Sequence, residues 1–244
     1  MLIAFRGAGM VERTATGIEG LDRILEGGFP KGSVILLSGG SGTLKTILAT
    51  QFIYNGGKQF KEPGVFVTVE ESAKNIGWNI ESFGWDIKSL EDKNLMKIYR
   101  LKLTPERDIK AQIDEELKMI SELVQKIGAK RLVIDSTTAF GIWIKEPGDL
   151  RYMIFKFASE LKELGCTTLL TAETKGGKTD FSAFGVEEFV VDGVLALYFS
   201  PPNRSVHVRK MRGTNHSKKV HPLEITKAGI EVKSKDEVLW ESIK

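Results

Sequence analysis

The chain has one cysteine, Cys166, in 244 residues, so an internal disulfide is excluded and no cysteine cluster can hold a metal. It has no uninterrupted apolar run approaching the ~18 residues of a membrane span. Its first residues, Met1-Leu2-Ile3-Ala4-Phe5-Arg6, put no basic stretch ahead of the apolar ones, which makes a poor signal peptide. A dominant charge is missing too. The 35 Lys and Arg against 32 Asp and Glu leave +3, too even to argue for a nucleic-acid partner. The three histidines, His207, His216 and His221, lack metal-ligand spacing, so no structural zinc is expected. The remaining balance, 41% hydrophobic and 27% charged, is that of a globular protein and excludes a disordered chain. No internal repeat is visible. The chain reads as one cytoplasmic domain over 1–244, away from membranes.

Its periodicity alternates between strand and helix. Ser33–Ser38 and Gly64–Val69 are short continuous apolar runs, the pattern of strands buried on both faces. Leu95–Leu103 alternates, Arg131–Asp135 is a fourth strand and Thr167–Ala172 a fifth. Helices are expected over Lys45–Tyr54, stopped by Asn55-Gly56-Gly57, and over Asp149–Gly165. Ile109, Ile113, Leu117, Ile120, Leu123 and Ile127 form the stripe of a long helix, introduced by Thr104-Pro105 and ended by Gly128. Ser72 is placed to cap the helix after the second strand. From Gly193 onward the strands Gly193–Phe199, Ser205–Met211, His221–Thr226 and Ile230–Val232 follow one another through short turns. This order predicts an α/β fold: a mostly parallel central sheet flanked by helices, extended at one edge by C-terminal antiparallel strands.

The strongest local signal is Gly39-Gly40-Ser41-Gly42-Thr43-Leu44-Lys45-Thr46, set after a strand and opening a helix. Backbone N–H groups of such a turn converge on a phosphate, and the helix dipole favours its charge. Lys45 is placed to reach the β- and γ-phosphates of a nucleotide, and the Thr46 hydroxyl to ligate Mg²⁺. Leu44 stands where the phosphate-loop pattern has glycine. A right-handed conformation there leaves its N–H free to donate, and is the expectation. Asp135 ends an apolar strand, where a carboxylate holds the Mg²⁺ shell, usually through water. Glu70 and Glu71 are adjacent carboxylates after another strand. Successive side chains there point opposite ways, so one of the two is placed to activate an attacking water. Glu173 ends a further strand, and its pattern fits a site residue and a plain strand end equally. Cys166 reads as a small buried residue.

Taken together, these segments resemble the KaiC-domain branch of the RecA superfamily, in its single-domain form. The resemblance runs over nearly the whole chain. It begins at Thr16-Gly17-Ile18-Glu19-Gly20-Leu21-Asp22 and continues from Leu25-Glu26-Gly27-Gly28-Phe29-Pro30-Lys31-Gly32-Ser33 into the phosphate loop. It includes Leu132-Val133-Ile134-Asp135-Ser136, Phe184-Gly185-Val186-Glu187-Glu188-Phe189-Val190 and Lys210-Met211-Arg212-Gly213-Thr214-Asn215-His216. It implies an ATPase using ATP and Mg²⁺, assembled as a homo-hexameric ring with nucleotide at the subunit interfaces. It implies that Glu70 and Glu71 are the catalytic carboxylates. Lys210 and Arg212 would reach the γ-phosphate of the neighbouring subunit, with His216 near the same nucleotide. Leu44 departs from the family pattern, and so does Ala183, where members often carry arginine. Four glutamines beside 25 lysines suit a heat-adapted, archaeal or thermophilic source.

Alternatives within the same fold are a nucleotide-binding regulatory or scaffold ring with little hydrolysis, an autokinase, and a recombination accessory protein. The last would use Lys175-Gly176-Gly177-Lys178 to touch DNA. Two lysines without an aromatic to stack a base are weak grounds for it, so DNA is not the expected partner. An additional regulatory protein partner is compatible with the resemblance.

Overall fold

Alternating apolar strands and amphipathic helices assemble around one nine-stranded sheet in the computed structural model, which describes residues 11–69, 73–104, 106–174 and 177–243. In chain order the strands are β1 (Arg13–Thr14), β2 (Phe29–Pro30), β3 (Val34–Gly39), β4 (Gly64–Thr68), β5 (Met96–Arg100), β6 (Arg131–Asp135), β7 (Thr167–Glu173), β8 (Gly193–Ser200), β9 (Asn203–Met211), β10 (Val220–Thr226) and β11 (Gly229–Val232). The helices are α1 (Leu21–Ile24), α2 (Lys45–Asn55), α3 (Ala73–Glu81), α4 (Ile87–Asp92), α5 (Ile109–Ile127), α6 (Phe140–Trp143), α7 (Pro147–Glu163) and α8 (Glu187–Val190). The large sheet runs β11-β10-β9-β8-β3-β7-β6-β4-β5, while β1 and β2 pair separately. Strands β8, β3, β7, β6, β4 and β5 are mutually parallel, and β9, β10 and β11 extend the edge antiparallel, as expected.

Strand alternation divides the core in two. Ile35, Leu37, Phe66, Val133 and Leu169 pack with Leu48, Phe52 and Ile53 of α2 on one face. Val34, Leu36, Val65, Leu132 and Ile134 meet α5 and α7 on the other, through Ile113, Ile120, Met153, Phe157 and Leu161. This three-layer arrangement leaves the carboxyl ends of the parallel strands as one edge, where ligands of such folds bind.

Helix α7 runs Pro147–Glu163, two residues ahead of the expected Asp149–Gly165, and two other helix boundaries depart for identifiable reasons. Helix α5 is introduced by Asp108, whose carboxylate accepts the Lys110 N–H, and not by Thr104-Pro105; Pro105 lies outside the described residues. Its end at Gly128 is as read, with a left-handed φ of 63°. Asn55-Gly56-Gly57 does not stop α2, because the chain continues through a π-helical turn over Gly56–Phe60. The reason lies elsewhere in the chain. Arg131, wholly buried, pairs with Glu62, donates to the carbonyls of Phe52 and Ala15, and lies over the Phe52 and Phe60 rings. A Cβ on Gly56 would come within 2.4 Å of Arg131 Cδ, so the glycine marks close packing rather than a terminus.

Cys166 is buried, with its thiol directed at the Ala129 carbonyl, and burial pushes its pKa up to about 11. It is expected to resist iodoacetamide at pH 8 in the folded protein and to react once urea unfolds the chain. Rapid alkylation without denaturant would contradict this burial.

Candidate functional site

The phosphate loop joins β3 to α2, at the carboxyl edge of the sheet. Gly39 ends β3 within the core, where a Cβ would meet the Leu197 carbonyl at 2.6 Å. Gly40, Ser41 and Gly42 carry the turn outward, and Gly42 has a φ of 75°. The Thr43 hydroxyl closes the loop on the Gly40 carbonyl at 2.8 Å. Lys45, almost fully buried at the first turn of α2, donates to the carbonyls of Gly39 and Gly40, both at 2.9 Å. Its pKa is lowered by burial, against which Glu173 and Asp135 act.

The expectation for Leu44 is corrected here. Its φ of 76° and ψ of 23° are left-handed, not right-handed. A non-glycine residue pays roughly 1–2 kcal/mol for that conformation. The Leu44 side chain packs at the margin of the α2-side core, which offsets the strain. Leu44→Gly is therefore expected to leave the protein more stable than Leu44→Ala, by about 1 kcal/mol in urea unfolding. In a right-handed helical turn alanine is the better residue, so the opposite order would count against this geometry.

Asp135, at the end of β6, is brought to the loop from 89 residues away. Its carboxylate accepts the Thr46 hydroxyl at 2.8 Å and a short bond from the Thr171 hydroxyl of β7. Hydroxyl and carboxylate together offer hard oxygen donors suited to Mg²⁺. Glu173, at the end of β7, lies 4.0 Å from Lys45 and is exposed. Glu70, Glu71, Ser72, Lys175 and Gly176 lie outside the described residues. The Val69 N–H, immediately before Glu70, bonds the Asp135 carbonyl at 2.8 Å, so β4 delivers the chain to this edge.

Sequence reasoning missed Arg204. Its Nε donates to the Gly42 carbonyl at 2.9 Å while its guanidinium lies 4.3 Å over the Phe199 ring. The β8–β9 hairpin thus buttresses the phosphate loop. No local pattern marks Arg204, because its partner is 162 residues away. The same hairpin borders a groove of about 670 Å³, lined by Pro201, Pro202, Arg204, Pro222, Ile225 and Ile243 among others.

The late basic residues stand elsewhere. Lys210, on β9, and Arg212, just beyond it, flank Asp192 at the amino end of β8. Asp192 in turn bonds the backbone of Val34, at the amino end of β3. From Val34 to Gly39 a strand covers about 17 Å, so neither cation reaches the phosphate loop of its own chain. Lys210 Nζ donates to the carbonyls of Glu188 and Val191 at 3.0 and 2.8 Å. Burial, and then the nearby Arg212, lower its pKa. His216 is buried and bonds the Ser217 carbonyl through Nδ1, while the Ser217 N–H bonds Ile24 of α1.

Lys178 is engaged in structure: its ammonium donates to the carbonyls of Trp240 and Glu241, and its own carbonyl accepts the Tyr198 hydroxyl. Among the described residues no group of three or more His, Cys, Asp or Glu could hold a metal by itself. No helix among them is long and apolar enough to cross a membrane.

Comparison with known proteins matches this arrangement. The family model of the KaiC ATPase matches residues 14–237. An archaeal UPF0273 protein from Methanocaldococcus jannaschii is 38% identical, over 90% of this chain and 96% of that protein. The circadian clock oscillator protein KaiC of Picosynechococcus is 40% identical over 91% of this chain, which spans 44% of the clock protein's length. The crystal structure of a KaiC-like protein from the hyperthermophile Pyrococcus horikoshii is 41% identical, with a TM-score of 0.81, covering 91% of this chain and 99% of that one.

Proposed function

From a chain that belongs to the KaiC ATPase family and carries an ATP-binding domain of RecA type, we propose a Mg²⁺-dependent ATPase that works as a cytoplasmic homo-hexameric ring. The whole chain, 1–244, is read as one ATPase domain. The reading rests on the Thr46–Asp135 contact, which joins the start of α2 to the end of β6 beside Lys45.

ATP lies with its phosphates on the loop Gly39 to Thr46, held by backbone N–H groups at the start of α2 and by Lys45. Thr46 and Asp135 would hold Mg²⁺, Asp135 through water. That ion would neutralise phosphate charge when bound. Glu70 or Glu71, following β4, takes the proton of the attacking water. Lys210 and Arg212, too far from their own loop, serve the γ-phosphate of the adjoining copy, with His216 on the same segment. Cations fixed before the reaction stabilise charge as it develops on the departing phosphate.

Steady-state phosphate release from Mg-ATP tests the reading, with the Glu70→Gln/Glu71→Gln double variant as background. Turnover that vanishes in the double variant is expected. Turnover no higher than in that variant would turn the protein into a nucleotide-gated scaffold, with left-handed Leu44 as the first residue to examine.

A further inference from the structure

We propose that Asp192 is a positioning residue, holding Arg212 and Lys162 on the face that meets the nucleotide of a neighbouring copy. This rests on the shared-site reading above. Asp192 is fixed from both ends. Its Oδ2 accepts the Val34 N–H at 3.0 Å, and its own N–H bonds the Val34 carbonyl at 2.8 Å. Its Oδ1 accepts Lys162 Nζ at 3.1 Å and Arg212 Nη1 at 3.0 Å, and its carbonyl accepts the Arg212 N–H at 2.9 Å. Burial works against its charge, but the Val34 amide, Lys162 and Arg212 outweigh it and hold the carboxyl below its ordinary pKa.

The charge count favours an anion from outside. Lys162, in the last turn of α7, Lys210 and Arg212 are three cations against two carboxylates, Asp192 and Glu188. Among the described residues the Lys210 ammonium donates only to the carbonyls of Glu188 and Val191. Arg212 is tied through Nη1 alone among the described residues, and its side chain stays 59% exposed. One carboxylate shared between two cations orients both and neutralises neither fully. Lys162 thereby joins Lys210 and Arg212 as a third cation of this face, brought there by tertiary contact and not by the late motif. The anchor is rigid because Val34 lies in a central strand paired on both sides.

Asp192→Asn separates positioning from folding. The amide oxygen can still accept the Val34 N–H, while the –NH₂ group faces the two cations and repels them. We expect kcat for ATP to fall on the order of 10-fold with KM within about twofold, since a small misplacement of a transition-state group costs rate rather than binding. Equal mixing of Asp192→Asn with Lys45→Ala chains should then restore activity to about a quarter of wild type, because one interface in four joins an intact loop to an intact cation face. Mixing Arg212→Ala with Lys45→Ala is the parallel control.

Wild-type kcat in Asp192→Asn overturns the proposal. So does a mixture no better than the mean of its parents while the Arg212→Ala mixture recovers; the shared site then stands without Asp192. Failure of both mixtures, or no turnover by the wild type, removes the shared-site reading and Asp192's role with it.

Discussion

Replacing Lys45 with alanine is expected to weaken ATP binding by at least about 100-fold while the fold persists. The ammonium is nearly buried against the loop it serves, donating to the Gly39 and Gly40 carbonyls. A unit charge about 4 Å from a phosphate oxygen contributes on the order of 4 kcal/mol at an effective dielectric of 20, and alanine returns all of it. The cost to the fold is small, because burial already works against that charge and lowers its pKa. Titration calorimetry with ATP and Mg²⁺ measures the change. A dissociation constant within threefold of wild type would remove Lys45 from the site.

The second large effect is on stability. Arg131→Ala is expected to cost about 3–5 kcal/mol, because a wholly buried side chain is emptied from the core and its partly exposed partner is left unpaired. Glu62 loses its partner, and the carbonyls of Phe52 and Ala15 each lose a donor, the Phe52 bond being buried and the Ala15 bond partly so. The stacking over Phe52 and Phe60 goes as well. For a chain of this length that is a fall in Tm of roughly 10 °C. Thermal unfolding of Arg131→Ala tests it, and a shift under 3 °C would show that Arg131 is not the clamp its contacts describe.

These two residues also show how far the sequence was legible. Lys45 and Thr46 sit in a motif whose chemistry is local, so the strand, the turn and the helix start were readable from spacing. Strand β6 was readable to the residue, Arg131–Asp135, because a continuous apolar run leaves little choice of conformation. The role of Arg131 was not readable. Its partners are Ala15, Phe52 and Glu62, and its bulk is why Asn55-Gly56-Gly57 continues as a π-helical turn instead of stopping α2. Leu44 went the other way from its expectation because a leucine's left-handed backbone is tolerated only where tertiary packing compensates, and that packing has no signature in eight residues. Asp192 and Arg204 belong to the same class. Each acts on a backbone group more than 150 residues distant, Val34 and Gly42. The KaiC family resemblance supplied the late basic motif, and the fold adds that it lies across the sheet from its own loop.

That separation limits how copies can associate on the shared-site reading. The phosphate loop closes one end of β3 and the Asp192 cluster the other, so a productive contact joins unlike patches. A two-fold dimer completes sites only if loop and cluster lie on one interface, each meeting the other's counterpart. Where loop and cluster lie on two different faces, the contact is head-to-tail and closes into a ring or runs on as an open filament. A closed ring of n chains has n complete sites. An open row has n − 1, with a bare loop at one end and an unused cation cluster at the other. Turnover per chain should therefore rise with protein concentration until the ring closes, and be independent of concentration after that.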